Sequence, residues 1–137
     1  MLNNNKLERV AFCTDMSVGI RDIDLQHKGI FEIYNKFVDE YNESKEHQMT
    51  LLRCTMNDLF WYAKYHFREE EWLMRTYNFP FTRAHVDQHQ ELAEMLKIIR
   101  FRDLSIAAYV NALDNFIDIF AEHILSYDLE YAKFICS

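Results

Sequence analysis

Five histidines and two carboxylates occupy positions in this sequence where helical spacing calls for apolar side chains, and those residue types could bind metal. His66 and Glu70 are four residues apart, so a helix stacks them on one face. That face carries Met49, Leu52, Met56, Leu59 and Ala63 before them and Leu73 and Tyr77 after, in steps of three and four. An amphipathic helix buries such a track. It then buries an imidazole and a carboxylate too, at a cost unless each finds a partner. His27 interrupts a second track, Ile20, Ile23, Ile30, Tyr34, Phe37 and Tyr41. His85 and His89 lead into Leu92, Leu96 and Ile99, and His123 follows Tyr109, Leu113, Phe116 and Phe120. Asp128 stands five residues after His123, about 140° round an α-helix from it, so the two are expected to flank the buried stripe. The remaining histidine, His47, lies off every track and reads as a surface residue.

The elements that must position these groups are helices. Two Gly and one Pro in 137 residues leave little punctuation for a many-stranded fold. The chain is long enough for one domain with a proper core, and 50% apolar residues argue against disorder. Residues 1–21 read as an N-terminal arm and 22–137 as a single helical domain. Asp22 or Asp24 is placed to cap a first helix, and the polar run Asn42 to His47 is the first connection. A second helix over about 48–76 stops before Asn78-Phe79-Pro80, because the residue before a proline is driven out of helical conformation. Thr82 can cap a third helix, and a polar break at Arg100 to Asp103 precedes a fourth over roughly 105–134.

Four helices joined by short connections predict an all-α, up-down-up-down antiparallel four-helix bundle. That topology brings the starts of the first and third helices to the same end as the finishes of the second and fourth. His27, His66, Glu70, His85, His89, His123 and Asp128 therefore converge on one level of the core. As a purely hydrogen-bonded cluster, every ring nitrogen would need a partner in a site closed to water. Metal ions satisfy the same groups more cheaply, since neutral imidazole and carboxylate are ligands of first-row transition metals. Seven side chains exceed what one four-coordinate zinc uses. Two ions bridged by the two carboxylates, sharing the five imidazoles unequally, use them all. Nitrogen and oxygen ligands without thiolate suit iron or manganese better than copper. No Glu stands three residues before any of these histidines, which disfavours a ferritin-like oxidase.

Charge and cysteine usage narrow the partners. A net charge of −7 argues against nucleic acid and anionic membranes. No apolar run reaches the roughly 18 residues of a membrane span, and Met1 to Lys6 lacks the apolar centre of a signal peptide, so a cytoplasmic protein is expected. Cys13, Cys54 and Cys136 are odd in number and far apart, which predicts reduced cysteines used mostly in packing. Tyr62, Tyr65, Tyr127 and Tyr131 read as packing residues of the bundle.

Ile23-Asp24-Leu25-Gln26-His27-Lys28, His66-Phe67-x-x-Glu70-Glu71-x-x-Met74, His85-x-x-x-His89 and His123-Ile124-x-x-x-Asp128 together resemble the hemerythrins, in particular the bacterial single-domain members. The resemblance runs from Met16 to near the C-terminus. It implies two non-haem iron ions, Fe2+/Fe3+, joined by an oxo or hydroxo bridge. His85, His89 and His123 would hold one ion, His27 and His66 the other, and Glu70 and Asp128 would bridge them. It implies reversible binding of dioxygen at the second, more open ion, for storage, delivery or scavenging, with no catalytic residue. The other readings of such a centre are a diiron oxidoreductase acting on peroxide or nitric oxide, and an oxygen or redox sensor. Azide is a further candidate ligand, and protein partners are left open. Phe12 and Ile119 stand where bacterial members usually carry Trp, and Phe120, beside Ile119, is placed to cover the open ion.

Overall fold

The computed structural model describes residues 6–137; residues 1–5 of the expected arm lie outside them. Four helices are observed in the predicted order, and no strand occurs among the described residues. They are α1 (Arg21–Glu43), α2 (Gln48–Thr76), α3 (Thr82–Phe101) and α4 (Ile106–His123). α4 runs through a five-residue π turn, Ile124–Asp128, into α5 (Leu129–Cys136). Helical dihedrals persist at His123, Ile124, Asp128 and Leu129, so α4, the π turn and α5 form one uninterrupted helical path. α1 packs on α2, α2 on α3 and α3 on α4, and α4 closes against α2. Their apolar tracks meet in one core that includes Ile30, Tyr34, Leu59, Leu96, Leu113 and Phe116, all buried. No described helix is long and apolar enough to cross a membrane.

The helix ends depart from expectation in two places. α1 starts at Arg21, with Ile20 rather than an aspartate at the cap. Asp24 instead reaches back: its carboxylate accepts from the Val18 N–H at 2.8 Å and from the Ser17 hydroxyl at 2.6 Å. It thereby ties the arm to the first turn of α1, next to Gly19, whose φ of +84° only glycine adopts without strain. Thr82 is not the cap of α3 either, because Phe81 holds that position. The Thr82 hydroxyl donates to the Phe79 carbonyl at 2.6 Å and so closes the Pro80 turn. Ser105 does cap α4, accepting from the Ala108 N–H.

The arm is strapped along α1 by two amide side chains seven residues apart. Asn35 donates to the Val10 carbonyl and accepts from its N–H, and Asn42 does the same with Leu7. Phe12, at the end of this strap, packs on Phe31 at 6.1 Å between ring centres. All three cysteines are exposed, which corrects the expectation of packing roles.

Gly29 of α1 faces Tyr62 of α2, where an added Cβ would clash with the Tyr62 hydroxyl. Alanine is the better helix former by about 1 kcal/mol, but here it would displace the Tyr62 ring. Gly29→Ala alone is therefore expected to destabilise the bundle, and in a Tyr62→Ala background to stabilise it. Urea denaturation of the four proteins of that cycle tests the change of sign.

Candidate metal centre

The antiparallel topology delivers the predicted convergence. His27, His66, Glu70, His85, His89, His123 and Asp128 are all buried at one level of the bundle. Glu70 Oε1 lies 3.1 Å from both His66 Nε2 and His89 Nε2. Asp128 Oδ1 is 2.9 Å from His85 Nε2 and 3.0 Å from His123 Nε2, while Asp128 Oδ2 is 3.0 Å from His27 Nε2. His27 Nε2 is also 3.6 Å from Glu70 Oε2. Two overlapping groups result: His85, His89 and His123 with both carboxylates, and His27 and His66 with the same two carboxylates. Within each group the candidate ligand atoms all lie within 4.8 Å of one another.

The short nitrogen–oxygen distances are not hydrogen bonds. His27 Nε2, His66 Nε2, His85 Nε2, His89 Nε2, His123 Nε2, Glu70 Oε1 and both oxygens of Asp128 are buried without a hydrogen-bond partner. Leaving that many polar atoms unsatisfied in a dry core would cost several times the roughly 1–3 kcal/mol of a single orphaned group. Their lone pairs converge on shared space instead of pairing off, which is the arrangement a cation satisfies. The donor set fits first-row metal ions.

The π turn explains how Asp128 joins the cluster. On a regular α-helix it would sit well round from His123, flanking the stripe. The turn closes with the Leu129 N–H donating to the Ile124 carbonyl, an i→i+5 bond that adds one residue to the turn. Asp128 is thus brought back beneath His123, and both point inward. This corrects the flanking geometry expected from an α-helical period.

Three residues that the sequence reading gave no site role orient the ligands. The His66 Nδ1–H donates to Gln26 Oε1 at 2.7 Å, and the His89 Nδ1–H to Glu71 Oε2 at 2.9 Å. Each bond fixes the tautomer that leaves Nε2 bare toward the centre. Tyr131, expected only to pack, donates its hydroxyl to Glu70 Oε2 at 2.5 Å. Burial, and then the charge of Glu70, push the Tyr131 phenol far above its ordinary range, so it keeps its proton. Of the other tyrosines, Tyr62 packs against Gly29 and Tyr127 stacks on His123 at 5.4 Å, whereas Tyr65 is exposed, which corrects the packing expectation for it. Tyr131→Phe is expected to cost about 1–3 kcal/mol by leaving a buried carboxylate oxygen short of its donor. Urea titration of the metal-loaded variant against wild type measures it; an unchanged midpoint would contradict the assignment.

Phe120 is fully buried, with its ring centre 5.7 Å from His27 and 6.2 Å from His66. Phe31 backs it at 5.9 Å, and Phe12 backs Phe31. Ile119 points outward, 38% exposed, into a surface depression that reaches His123. It therefore borders the histidine-rich side of the centre, where the Phe120 ring also stacks on His123 at 6.5 Å. His47 is exposed and turns the chain into α2 with a positive φ of 59°.

A four-helix bundle that gathers five imidazoles and two carboxylates in this way defines a metal-binding bundle of the non-haem type. The chain belongs to the hemerythrin family: the pattern of the hemerythrin HHE cation binding domain matches residues 18–135. Proteins named bacteriohemerythrin from Pseudomonas aeruginosa and Pseudomonas paraeruginosa are each 34% identical to it over 88 residues. That stretch covers 64% of this chain and 56% of each relative, so the match spans little more than half the relatives' length.

Proposed function

We propose that His27, His66, Glu70, His85, His89, His123 and Asp128 hold two non-haem irons, and that the protein binds dioxygen reversibly there. The observation that carries this reading is the pair of overlapping ligand groups sharing Glu70 and Asp128, with their facing atoms buried and unpartnered. His85, His89 and His123 serve one ion and His27 and His66 the other. When bound, the iron pair supplies the two electrons that dioxygen takes up on binding and returns on release. The side served by His27 and His66 has fewer protein ligands and so more room for a small molecule. Phe120 covers that side and keeps water out. Tyr131 holds its proton against Glu70, and Gln26 and Glu71 keep the rings of His66 and His89 turned inward.

The test is anaerobic loading with ferrous iron, metal analysis, then oxygenation followed by removal of the gas. About two irons per chain are expected, with an oxygenated spectrum that reverts to the ferrous one. One tightly held zinc would sink the iron reading. Steady consumption of peroxide or nitric oxide, with no stable oxygenated form, would assign the centre to an enzyme instead.

A further inference from the structure

We propose that the outer α2–α3 face is a docking surface for an acidic electron-carrier protein, which reaches the metal centre by way of Phe67 and His89. The electron-transfer half of this rests on the iron reading above; the docking half does not.

The first observation is where the cations stand. The chain carries a net charge of −7, yet Lys64 and Arg68 of α2 line the groove shared with α3, and Arg75 follows them along the helix, paired with Glu71. Arg100 of α3 joins them: its guanidinium lies 5.4 Å from the Trp61 ring, and the Lys64 ammonium lies 5.9 Å from the same ring. The α2 carboxylate in that groove is Glu71, engaged by His89 and by Arg75 at 3.7 Å; of the exposed α3 carboxylates Asp87, Glu91 and Glu94, the last lies in the neighbouring depression with Lys97 and Arg102. Asp58 and Glu69 lie one and two turns from Tyr62, on the α1 flank of the helix. A local basic face on an acidic protein orients acidic partners and leaves other approaches repulsive.

The second observation is aromatic. Trp61 and Trp72 stand along the exposed side of the same helix, 55% and 62% exposed. Tryptophan and arginine are the residues most enriched where proteins bind one another.

The third observation picks out an electron carrier among acidic partners. A depression of about 350 Å³ opens between Lys64, Arg68, Gln90 and Ala93, and Phe67, Glu71 and His89 line it. Phe67 and His89 are stacked there at 4.2 Å between ring centres and 15° between planes. A partner seated on this face is therefore one aromatic layer from a candidate metal ligand. The depressions that reach His85 and His123 carry Glu130 and Glu122 and no lysine or arginine. In each encounter one electron leaves the carrier's reduced cofactor, and one ferric ion becomes ferrous. Two encounters restore the diferrous pair.

The experiment uses flavodoxin, an acidic carrier of a flavin, with iron-loaded, oxidised protein. Calorimetry reads binding, and anaerobic mixing with reduced flavodoxin reads oxidation of the flavin. Lys64→Glu with Arg68→Glu is compared with Lys36→Glu with Lys133→Glu, which changes the net charge equally on exposed sites elsewhere. The wild type and the control pair should bind and weaken with salt, while the reversal of the α2–α3 face should weaken binding by about tenfold or more and slow flavin oxidation in proportion. Equal losses in both pairs, or no binding by wild type at low salt, would overturn the proposal. So would sedimentation showing that wild type self-associates through this face, which makes the occupant a second copy of the chain. Binding without flavin oxidation, in protein verified to hold ferric iron, overturns the electron-transfer half. Protein that holds no iron fails the earlier reading instead, and docking is then judged by calorimetry alone.

Discussion

Removal of metal by a chelator is expected to lower the stability of this protein by at least about 3–5 kcal/mol, the scale on which a buried charge loses its partner. At this chain length that is roughly 10–20 °C in melting temperature. The cause is the cluster itself: Glu70 and Asp128 are wholly buried, and without cations Asp128 faces only imidazoles and Glu70 only imidazoles and the Tyr131 hydroxyl. The effect should depend on pH. In the metal-free protein, burial opposes charge on His27 and His89. The nearby carboxylates outweigh it, Asp128 and Glu70 at His27 and Glu70 and Glu71 at His89, and push both imidazoles up to about 9. A folded-state value raised above the ordinary 6.5 stabilises below 6.5, and that contribution is lost as pH rises through 9. For Glu70 and Asp128, burial favours the neutral form, but the surrounding histidines hold both well below the ordinary carboxylate range. Their contribution is present above that range and lost as pH falls below it. The metal-free protein should therefore be most stable near pH 5–6.5 and weaken toward pH 9. Metal binding has the opposite slope, because every ligand must be deprotonated. Melting temperatures of loaded and stripped protein at pH 6 and pH 9 check both points. The gap should widen with pH; equal melting temperatures, or a gap that narrows, would contradict the site.

The helices were legible because their apolar tracks are regular. α2 spans Gln48–Thr76 as its periodicity predicts, and the antiparallel order then brings seven polar positions to one level. What the sequence did not disclose depends on geometry that periodicity cannot carry. The π turn adds a residue without breaking the helix, and it is silent in a pattern of threes and fours; only Asp128 finishing five residues from His123 hinted at it. Gln26 and Glu71 adjoin His27 and Glu70 in the chain, yet they serve His66 and His89 on neighbouring elements, so their roles appear only once the helices are paired. Tyr131 is the same case across a longer interval, since it reaches Glu70 from α5. Asp24 and Thr82 were the right residue types at the right helix starts. Their oxygens found the arm and the Pro80 turn instead of the cap, a choice made by the loop conformation.

Phe120→Ala is expected to separate the cover of the centre from its ligands. The ring is fully buried among His27, His66, Phe31 and Phe116, so truncation should cost about 3–5 kcal/mol, as for a large core aromatic. No candidate ligand is touched, and the variant should still bind about two irons. The space opened lies nearest His27 and His66, at 5.7 and 6.2 Å on the side with fewer protein ligands, and next to His123 at 6.5 Å. Water and small anions then reach that side more easily, so azide should bind faster and the oxygenated protein should oxidise faster, each by about an order of magnitude. Phe116→Ala is the control. Phe116 stacks on the far side of Phe120 at 6.0 Å, and its loss should cost comparable stability without opening the histidine side. His85→Ala and His89→Ala bracket the other extreme, since each removes a candidate ligand and should lose iron. The measurements are iron content, azide association rate and the decay of the oxygenated absorption in all four variants. Iron loss in Phe120→Ala would make the ring a structural support of the ligands. Wild-type azide and decay rates with iron retained would mean that small molecules enter on another side, and the assignment of the open position to the ion served by His27 and His66 would have to be abandoned.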